Sequence, residues 1–254
     1  MSSPQTILIT GANRGIGEGL TTALLQKPST TVVAAVRDPS KESSLALANL
    51  PKAEGSRLII VKLDVAVQSD PAAAVETLRK EHGIESLDVV VANAGIAHSG
   101  STVLESSGDV ITEHLAINAI GPVLLLKATA PLLKAGKNPA FVNISTLIGS
   151  IGGMELLAGF PSTFSPYGGS KASLNWFLRR IHFEETWLST IVLHPGLVLT
   201  DMTKGIFDKL GVDPKTMGAI TVEQSVSGIV DRISAASREL SGTFQNYDGT
   251  SLPW

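Results

Sequence analysis

Short apolar runs, bounded by glycine, proline and charged residues, alternate along this chain with longer segments whose apolar residues have helical spacing. The runs predict strands at residues 7–9, 31–36, 57–65, 88–92, 140–145 and 188–193, and an edge strand at 242–247. Because most of these runs are almost continuously apolar, both faces of the sheet are expected to be covered by helices. The pattern therefore predicts an α/β fold with a doubly wound parallel sheet of about seven strands.

The segments between the strands predict helices. They lie at residues 20–25, 70–82, 172–183 and 221–236, with two long helices in 102–131 and a mobile lid in 201–217. Asp70 and Pro71 are expected to cap the helix 70–82. The stretch 123–133 is the longest apolar one, but it carries Lys127 and Pro131 and falls short of the roughly 18 residues of a membrane span. It is predicted to be a core helix.

Composition narrows the class of protein. The 254 residues are 43% hydrophobic, enough for a single core, so residues 1–254 are expected to form one domain. The net charge of −3 and the absence of basic runs argue against nucleic acid or anionic membrane as a partner. The chain has no cysteine and residues 1–5 lack the features of a signal peptide, so a cytoplasmic protein is expected.

A glycine-rich turn joins the first strand to the first helix. It has the spacing G-x-x-x-G-x-G and contains Gly11, Asn13, Arg14, Gly15, Ile16 and Gly17. Glycines at such a turn allow a pyrophosphate to approach the backbone N–H groups at the helix N-terminus. Glycine turns without a ligand also occur, but the position favours a Rossmann-type dinucleotide site.

The second strand ends at Arg37, where an acidic residue would bind the ribose 2′-OH of NAD and an arginine accommodates the 2′-phosphate of NADP. Arg14 in the glycine turn could bind the same phosphate. The alternative is that both are ordinary surface arginines. The interpretation we favour is a site for NADP(H).

A second motif precedes the helix 172–183. Tyr167 and Lys171 are four residues apart and share a helix face. Together with Asn93, Ala94 and Gly95, with Asn118, and with Pro195 and Gly196, they make the chain resemble the short-chain dehydrogenase/reductase family along essentially its whole length. The resemblance implies that Tyr167 donates a proton to the substrate. A free phenol titrates near 10, and Lys171 and the oxidised nicotinamide are the cations available to acidify it.

The same resemblance assigns other residues. It implies that Asp64 and Val65 contact the adenine and that the turn at Asn93, Ala94 and Gly95 closes the site below the cofactor. Asn118 would hold a water that extends a proton relay from Lys171. The nicotinamide would be covered by Pro195, Gly196, Val198 and Thr200.

The hydroxyl that orients the substrate carbonyl is ambiguous. In the family it commonly stands three residues after the asparagine of the fifth strand, which here selects Thr146, with Ser145 as the alternative. A one-residue step turns a side chain to the other face of a strand, so the two are not equivalent. The insertion 147–166 is expected to form part of the substrate wall through Met154, Leu156, Leu157 and Phe160. The lid 201–217 would add Met202, Ile206, Phe207 and Leu210, unless it is only an amphipathic helix packed on the core.

Two classes of function remain. The first is an NADPH-dependent carbonyl reductase that acts on a small ketone or aldehyde; the second is a non-catalytic NADP-sensing regulator, for which Tyr167 and Lys171 would be superfluous. The five histidines show no H-x-x-x-H spacing, so no catalytic metal is expected. Several segments, including Leu252, Pro253 and Trp254, resemble the fungal norsolorinic acid ketoreductases, which implies aryl or polyketide-like ketones. The helices in 102–131 could also form a homodimer or homotetramer, or serve only the core.

Overall fold

One parallel sheet runs through the molecule, in a computed structural model that describes residues 4–97, 101–158 and 164–254. Its strands are Gln5–Thr10 (β1), Thr30–Val36 (β2), Arg57–Lys62 (β3), Val89–Ala92 (β4), Ala140–Ile144 (β5), Ser189–His194 (β6) and Thr243–Asn246 (β7). The order is β3-β2-β1-β4-β5-β6-β7, and every neighbouring pair is parallel. The predicted doubly wound Rossmann-type fold is confirmed.

Helices cover both faces of the sheet. They are Gly15–Leu25 (α1), Glu42–Leu45 (α2), Asp70–His82 (α3), Gly108–Leu115 (α4), Gly121–Lys134 (α5), Ser165–Glu184 (α6), Asp201–Leu210 (α7) and Val222–Ser234 (α8). Leu24 of α1 and Ile229 of α8 belong to the core on one face. Leu78 of α3, Leu125 of α5 and Leu174 of α6 belong to the core on the other. The near-continuous apolar strands are therefore buried from both sides.

One boundary and one side-chain role differ from the prediction near β3. The strand ends at Lys62, not at residue 65, so residues 63–65 lie beyond the sheet. Asp70 is not a helix cap, because its carboxylate leaves the helix and accepts hydrogen bonds from the Asp64 N–H at 2.9 Å and from Lys62 Nζ at 3.1 Å. Asp70 thus fixes the chain just after β3, where the sequence suggested only a local role.

The two helices predicted in 102–131 are joined into one run, Gly108–Lys134, through the π-helical segment Ala116–Ile120. By length and composition, this run could cross a membrane, and it is the one such helix within the described ranges 4–97, 101–158 and 164–254. In its most apolar stretch of 18 residues, 44% is buried inside the protein. The length argument applied to 123–133 was therefore wrong. The assignment of that stretch to the core holds, because Leu125, Leu132 and Leu133 are buried against the sheet.

The order of the strands reverses between β1 and β4. Successive connections from β1 lead to β2 and β3 on one side, and those from β4 lead to β5, β6 and β7 on the other. A crevice forms at the carboxyl ends of the strands where the connections diverge, and ligands of doubly wound sheets bind there. The functional site is accordingly sought at the carboxyl ends of β1, β4 and β5.

Candidate active site

A cleft of about 580 Å³ opens at this switch point. One end is lined by Arg37, the middle by the glycine turn, and the other end by Tyr167 and Lys171. The cleft also contains nearly all of the remaining residues proposed from the sequence: Gly11, Asn13, Arg14, Gly15, Ile16, Asp64, Val65, Asn93, Ala94, Gly95, Ser145, Thr146, Pro195, Gly196, Val198 and Thr200. Gly17 and Asn118 are packed behind its wall.

The glycine turn can be built only with glycine at its decisive positions. Gly11 and Gly15 have φ of +64° and +53°, in the left-handed region that other residues rarely adopt. A Cβ on Gly17 would lie 2.1 Å from the Gly11 carbonyl oxygen and 2.6 Å from Nδ2 of Asn93. Asn93 in turn donates from Nδ2 to the carbonyl oxygen of Thr10 at 2.9 Å. The turn is compact, leaves the N-terminus of α1 facing the cleft, and fits a pyrophosphate.

Basic side chains surround the end of the cleft after β2. Arg37 and Arg14 are exposed and line it, and Lys41 joins them. The neighbouring carboxylate of Asp38 is turned to Ser40, accepting from its N–H at 2.9 Å and its hydroxyl at 2.6 Å. These hydrogen bonds hold the pKa of Asp38 below its usual value. Three basic side chains thus outnumber the carboxylates of Asp38 and Asp64 in this part of the cleft, which fits the 2′-phosphate of NADP.

Lys41 and Ser43 were not identified from the sequence. Both line the cleft, and Ser43 Oγ accepts a hydrogen bond from Nδ2 of Asn13 at 2.9 Å. Asn13 Nδ2 also donates to Ser44 Oγ at 3.1 Å. The available signal was their position, four and six residues after Arg37 in a polar segment, but such segments follow many strands without contacting a ligand.

Tyr167 and Lys171 lie on the first turns of α6 and face the same part of the cleft. Lys171 is 4% exposed, and its Nζ donates to the carbonyl oxygen of Ile144, at the end of β5, at 2.7 Å. Burial lowers the pKa of Lys171 to about 8 and raises the pKa of Tyr167 to about 12. In the protein alone the phenol is therefore less acidic than a free one, the reverse of the shift expected from the neighbouring lysine.

The two candidate hydroxyls after β5 have different partners. Ser145 is 1% exposed and donates to Oδ1 of Asn175 in α6 at 2.6 Å. Thr146 Oγ1 accepts from the N–H of Ile148 at 3.3 Å, capping the short 3₁₀ turn Leu147–Gly149. The hydroxyl of Ser145 is thus used to tie β5 to α6, whereas that of Thr146 keeps its proton available to an acceptor.

Asn118 is buried in the π-helical segment, and three hydrogen bonds hold its side chain. Oδ1 accepts from the N–H of Ile96 at 2.9 Å, and Nδ2 donates to the Ile96 carbonyl oxygen at 2.8 Å and to Ser170 Oγ at 3.0 Å. The main-chain carbonyl differs: its α-helical donor would be residue 122, a proline without an N–H.

The turn after β6 is rigid. Gly196 has φ of +84°, and a Cβ there would lie 2.7 Å from Ile220. The carbonyl of Pro195 accepts from Ser225 Oγ at 2.6 Å and that of Val198 from Thr203 Oγ1 at 2.5 Å. Thr200 Oγ1 caps α7. The carbonyl of Val198, a residue expected to cover the nicotinamide, thus already has a donor within the protein.

Apolar side chains line the end of the cleft beyond Tyr167. They are Ile96, Ile117, Ile148, Phe164, Met202 and Phe207. Phe207 of α7 is 2% exposed, whereas Met154 and Leu156 are 60% and 70% exposed and do not line the cleft, contrary to prediction. Leu157 does not line it either. Phe160 and the side chains of Ile206 and Leu210 lie outside what the structure describes.

Acidic and imidazole side chains do not gather into a metal site: over 4–97, 101–158 and 164–254, no three of them are placed to hold an ion. His194 ends β6 and packs just before the turn at Pro195. Burial lowers its pKa to about 4, and its Nδ1 has no hydrogen-bond partner within the described structure. His194 is thus partly buried and belongs to no cluster of metal ligands in the part of the chain that the structure describes.

This fold and this constellation define a pyridine-nucleotide oxidoreductase, and the chain belongs to the short-chain dehydrogenase/reductase family. The family described as short chain dehydrogenase matches residues 5–211. The norsolorinic acid ketoreductase of Dothistroma septosporum is 44% identical over 257 residues, covering 100% of this chain and 94% of the relative. That of Aspergillus parasiticus is 42% identical over 250 residues, covering 97% and 90%. The family and enzyme class expected from the sequence are confirmed.

A solved structure gives the same result for the fold. The NADPH-bound carbonyl reductase from chicken fatty liver superposes with a TM-score of 0.85 at 31% identity, and the alignment covers 100% of both chains. The architecture that surrounds the cleft is therefore that of a carbonyl reductase fold with a pyridine nucleotide site.

Proposed function

We propose that this protein is an NADPH-dependent carbonyl reductase that converts a ketone or aldehyde to an alcohol. The observation that carries the proposal is the single cleft in which Arg37, the glycine turn, Tyr167 and Lys171 are continuous. NADPH, when bound, supplies the hydride. The glycine turn fits its pyrophosphate, and the protein's own side chains provide the proton and orient the carbonyl.

Tyr167 is the proton donor in this proposal. A pKa of about 12 keeps its phenol protonated at neutral pH, which is the form that reduction of a carbonyl requires. The phenol and the hydroxyl of Thr146 would both donate to the carbonyl oxygen and stabilise the negative charge that develops there. Thr146 is preferred over Ser145 because Ser145 already donates to Asn175.

Lys171 would supply the positive charge that assists loss of the phenolic proton. Its Nζ lies 2.7 Å from the carbonyl oxygen of Ile144 and has two further N–H donors to offer. We place the proton relay at the main-chain carbonyl of Asn118, because Pro122 withholds the α-helical donor and the side chain is occupied by Ile96 and Ser170.

The proposed preference for NADPH over NADH follows from the charges after β2. Arg37, Arg14 and Lys41 would surround the 2′-phosphate, and Ser43 could donate its hydroxyl. Asp38, the nearest carboxylate to Arg37 in the chain, accepts both hydrogen bonds from Ser40 on Oδ1, which leaves Oδ2 for any ribose 2′-OH. The remaining contacts would be those of Asp64 and Val65 with the adenine and of Pro195, Gly196, Val198 and Thr200 with the nicotinamide end.

The substrate is proposed to be an aryl or polyketide-like ketone. The cleft beyond Tyr167 is walled by aliphatic and aromatic side chains, among them Ile148, Phe164 and Phe207. Such a wall favours a flat apolar substrate. The relatives named norsolorinic acid ketoreductases support the same class. Residues 147–166 and 201–217 would be the substrate loop and lid of a single domain spanning residues 1–254.

We further propose a homodimer or homotetramer located in the cytoplasm. Exposed apolar side chains occur on α4 and α6, including Ile111, Trp176 and Phe177, and would be covered by a second subunit. A chain without cysteine suits a reducing compartment.

A panel of aryl and aliphatic ketones, assayed by the loss of NADPH absorbance, tests the proposed activity. Reduction of aryl ketones with NADPH, and much slower reduction with NADH, is the expected result. Binding of NADPH without turnover of any ketone or aldehyde would instead favour a cofactor sensor.

A further inference from the structure

The segment Leu252, Pro253 and Trp254 packs against the loop that follows Thr146. The main-chain oxygen of Trp254 accepts a hydrogen bond from the Gly152 N–H at 2.6 Å. The carbonyl oxygen of Pro253 accepts from Ser150 Oγ at 2.7 Å, and Ser150 is completely buried. Two residues of the loop, Ser150 and Gly152, are thus hydrogen-bonded to this segment.

The segment is itself anchored to the body of the protein. The indole of Trp254 lies 5.7 Å from the ring of Phe244 in β7 and 5.6 Å from the guanidinium of Arg179 in α6. The N–H of Leu252 donates to the carbonyl oxygen of Phe244 at 2.9 Å. Because α6 also carries Tyr167 and Lys171, the segment connects the loop to the same helix that holds the proton donor.

The loop connects directly to the reacting groups. Gly149 packs on Lys171 so closely that a Cβ on it would lie 2.7 Å from the Lys171 Cβ. Ile148 lines the cleft and packs on Gly168, next to Tyr167. A shift of residues 148–152 would therefore move Ile148, which lines the cleft and donates its N–H to Thr146 Oγ1. The substrate wall and the position of the Thr146 hydroxyl would change together.

We propose that Leu252, Pro253 and Trp254 form a clamp that positions the substrate loop, with Trp254 as its anchor. The inference rests on the proposed carbonyl reductase function for its kinetic consequence. Trp254 touches neither the cleft nor any candidate catalytic group, so it is a positioning residue.

Kinetics of three variants test the consequence. Trp254→Ala, and deletion of residues 252–254, should lower kcat/KM for the ketone by about 10- to 100-fold, the range expected when reacting groups are misplaced by about 1 Å. The loss should lie mainly in KM for the ketone, while the dissociation constant of NADPH stays within about twofold, since the glycine turn lies away from the clamp. Trp254→Phe keeps a ring on Phe244 and Arg179 and should restore most of the activity.

Trp187→Ala is the matched control. Trp187 is also a partly buried tryptophan that packs against the core. It precedes the amino end of β6, whereas the cleft lies at the carboxyl ends of the strands. The Trp187→Ala variant should have a lower melting temperature and an unchanged KM for the ketone. Equal kinetic losses in Trp187→Ala and Trp254→Ala would overturn the clamp, because they would reflect general destabilisation.

Hydrogen exchange separates the clamp from the proposed function. Deletion of residues 252–254 should raise the exchange of a peptide spanning 147–158 at least several-fold, and leave a peptide spanning β1 unchanged, because the Gly152 N–H loses its acceptor. This holds whether or not the protein reduces ketones. Unchanged exchange at 147–158 overturns the clamp, whereas increased exchange in a protein without reductase activity supports the clamp and rejects only the function.

Discussion

The hydroxyl of Ser145 donates a hydrogen bond to Oδ1 of Asn175 at 2.6 Å, deep between β5 and α6. The next residue, Thr146, faces the cleft with its hydroxyl proton available. We expect Thr146→Ala to lower kcat by about 10²–10³-fold, the usual cost of losing one oxyanion donor. Thr146→Ser should restore it.

Ser145→Ala provides the comparison. It leaves Asn175 Oδ1 without its donor, so the free energy of unfolding should fall by about 1–3 kcal/mol, the cost of a buried unsatisfied group. Its kcat should fall far less than that of Thr146→Ala. Steady-state kinetics and urea denaturation of both variants measure this, and the opposite ranking would assign the role to Ser145.

Tyr167→Phe removes the proposed proton donor and keeps the ring. We expect kcat to fall by about 10²–10⁴-fold, the usual contribution of a general acid. NADPH binding, followed by fluorescence, should hardly change. Tyr247→Phe is the control, since Tyr247 is the other of the chain's two tyrosines and lies outside the cleft. Near-normal turnover by Tyr167→Phe would mean that water or another group protonates the alkoxide.

Arg37→Asp should weaken NADPH binding by roughly 10- to 100-fold, because a hydrogen bond between charged groups contributes ~1.5–3 kcal/mol. The new carboxylate would also repel the 2′-phosphate. Titration of NADPH and NADH by fluorescence measures the change. Arg79→Asp, on the exposed face of α3, should leave both affinities unchanged. Equal use of NADPH and NADH by the unmodified protein would contradict the assignment.

His194 should make the protein sensitive to acid. Its pKa is lowered from an ordinary 6.5 to about 4, so between these values the unfolded chain binds a proton that the folded one does not. Stability is therefore lost as the pH falls below about 6.5, by about 2 kcal/mol between pH 7 and 5. His194→Gln should remove that part of the slope. Urea denaturation at several pH values tests this, and parallel curves for both proteins would exclude His194 as the cause.

The sequence predicted the fold and most of the cleft because both depend on local patterns. Apolar runs such as residues 31–36 mark buried strands, and the glycines at 11, 15 and 17 mark the turn after β1. The fixed order of strands then brings their carboxyl ends together. No single segment of the sequence determines the order of the parallel strands, but the preference for right-handed connections leaves few possible orders.

The incorrect predictions have a common physical origin: the direction and surroundings of a side chain depend on residues that are distant in sequence. Asp70 was expected to cap its own helix, but it accepts from Lys62 and the Asp64 N–H instead. Met154 and Leu156 have the composition of a substrate wall, yet they point outward. Burial, a property of the whole fold, raises the pKa of Tyr167 in the protein without cofactor, whereas the sequence showed only the neighbouring Lys171.

The hydrogen bonds of Asn13 to Ser43 and Ser44 join the glycine turn to the segment after β2. The parts that would hold the pyrophosphate and the 2′-phosphate are therefore joined by direct hydrogen bonds. A neutral residue in place of Arg37 would reduce the affinity for NADPH without adding a carboxylate for the ribose 2′-OH of NADH. A substitution of Asn13 should instead disturb the pyrophosphate site and the 2′-phosphate site at once, because its side chain connects the two.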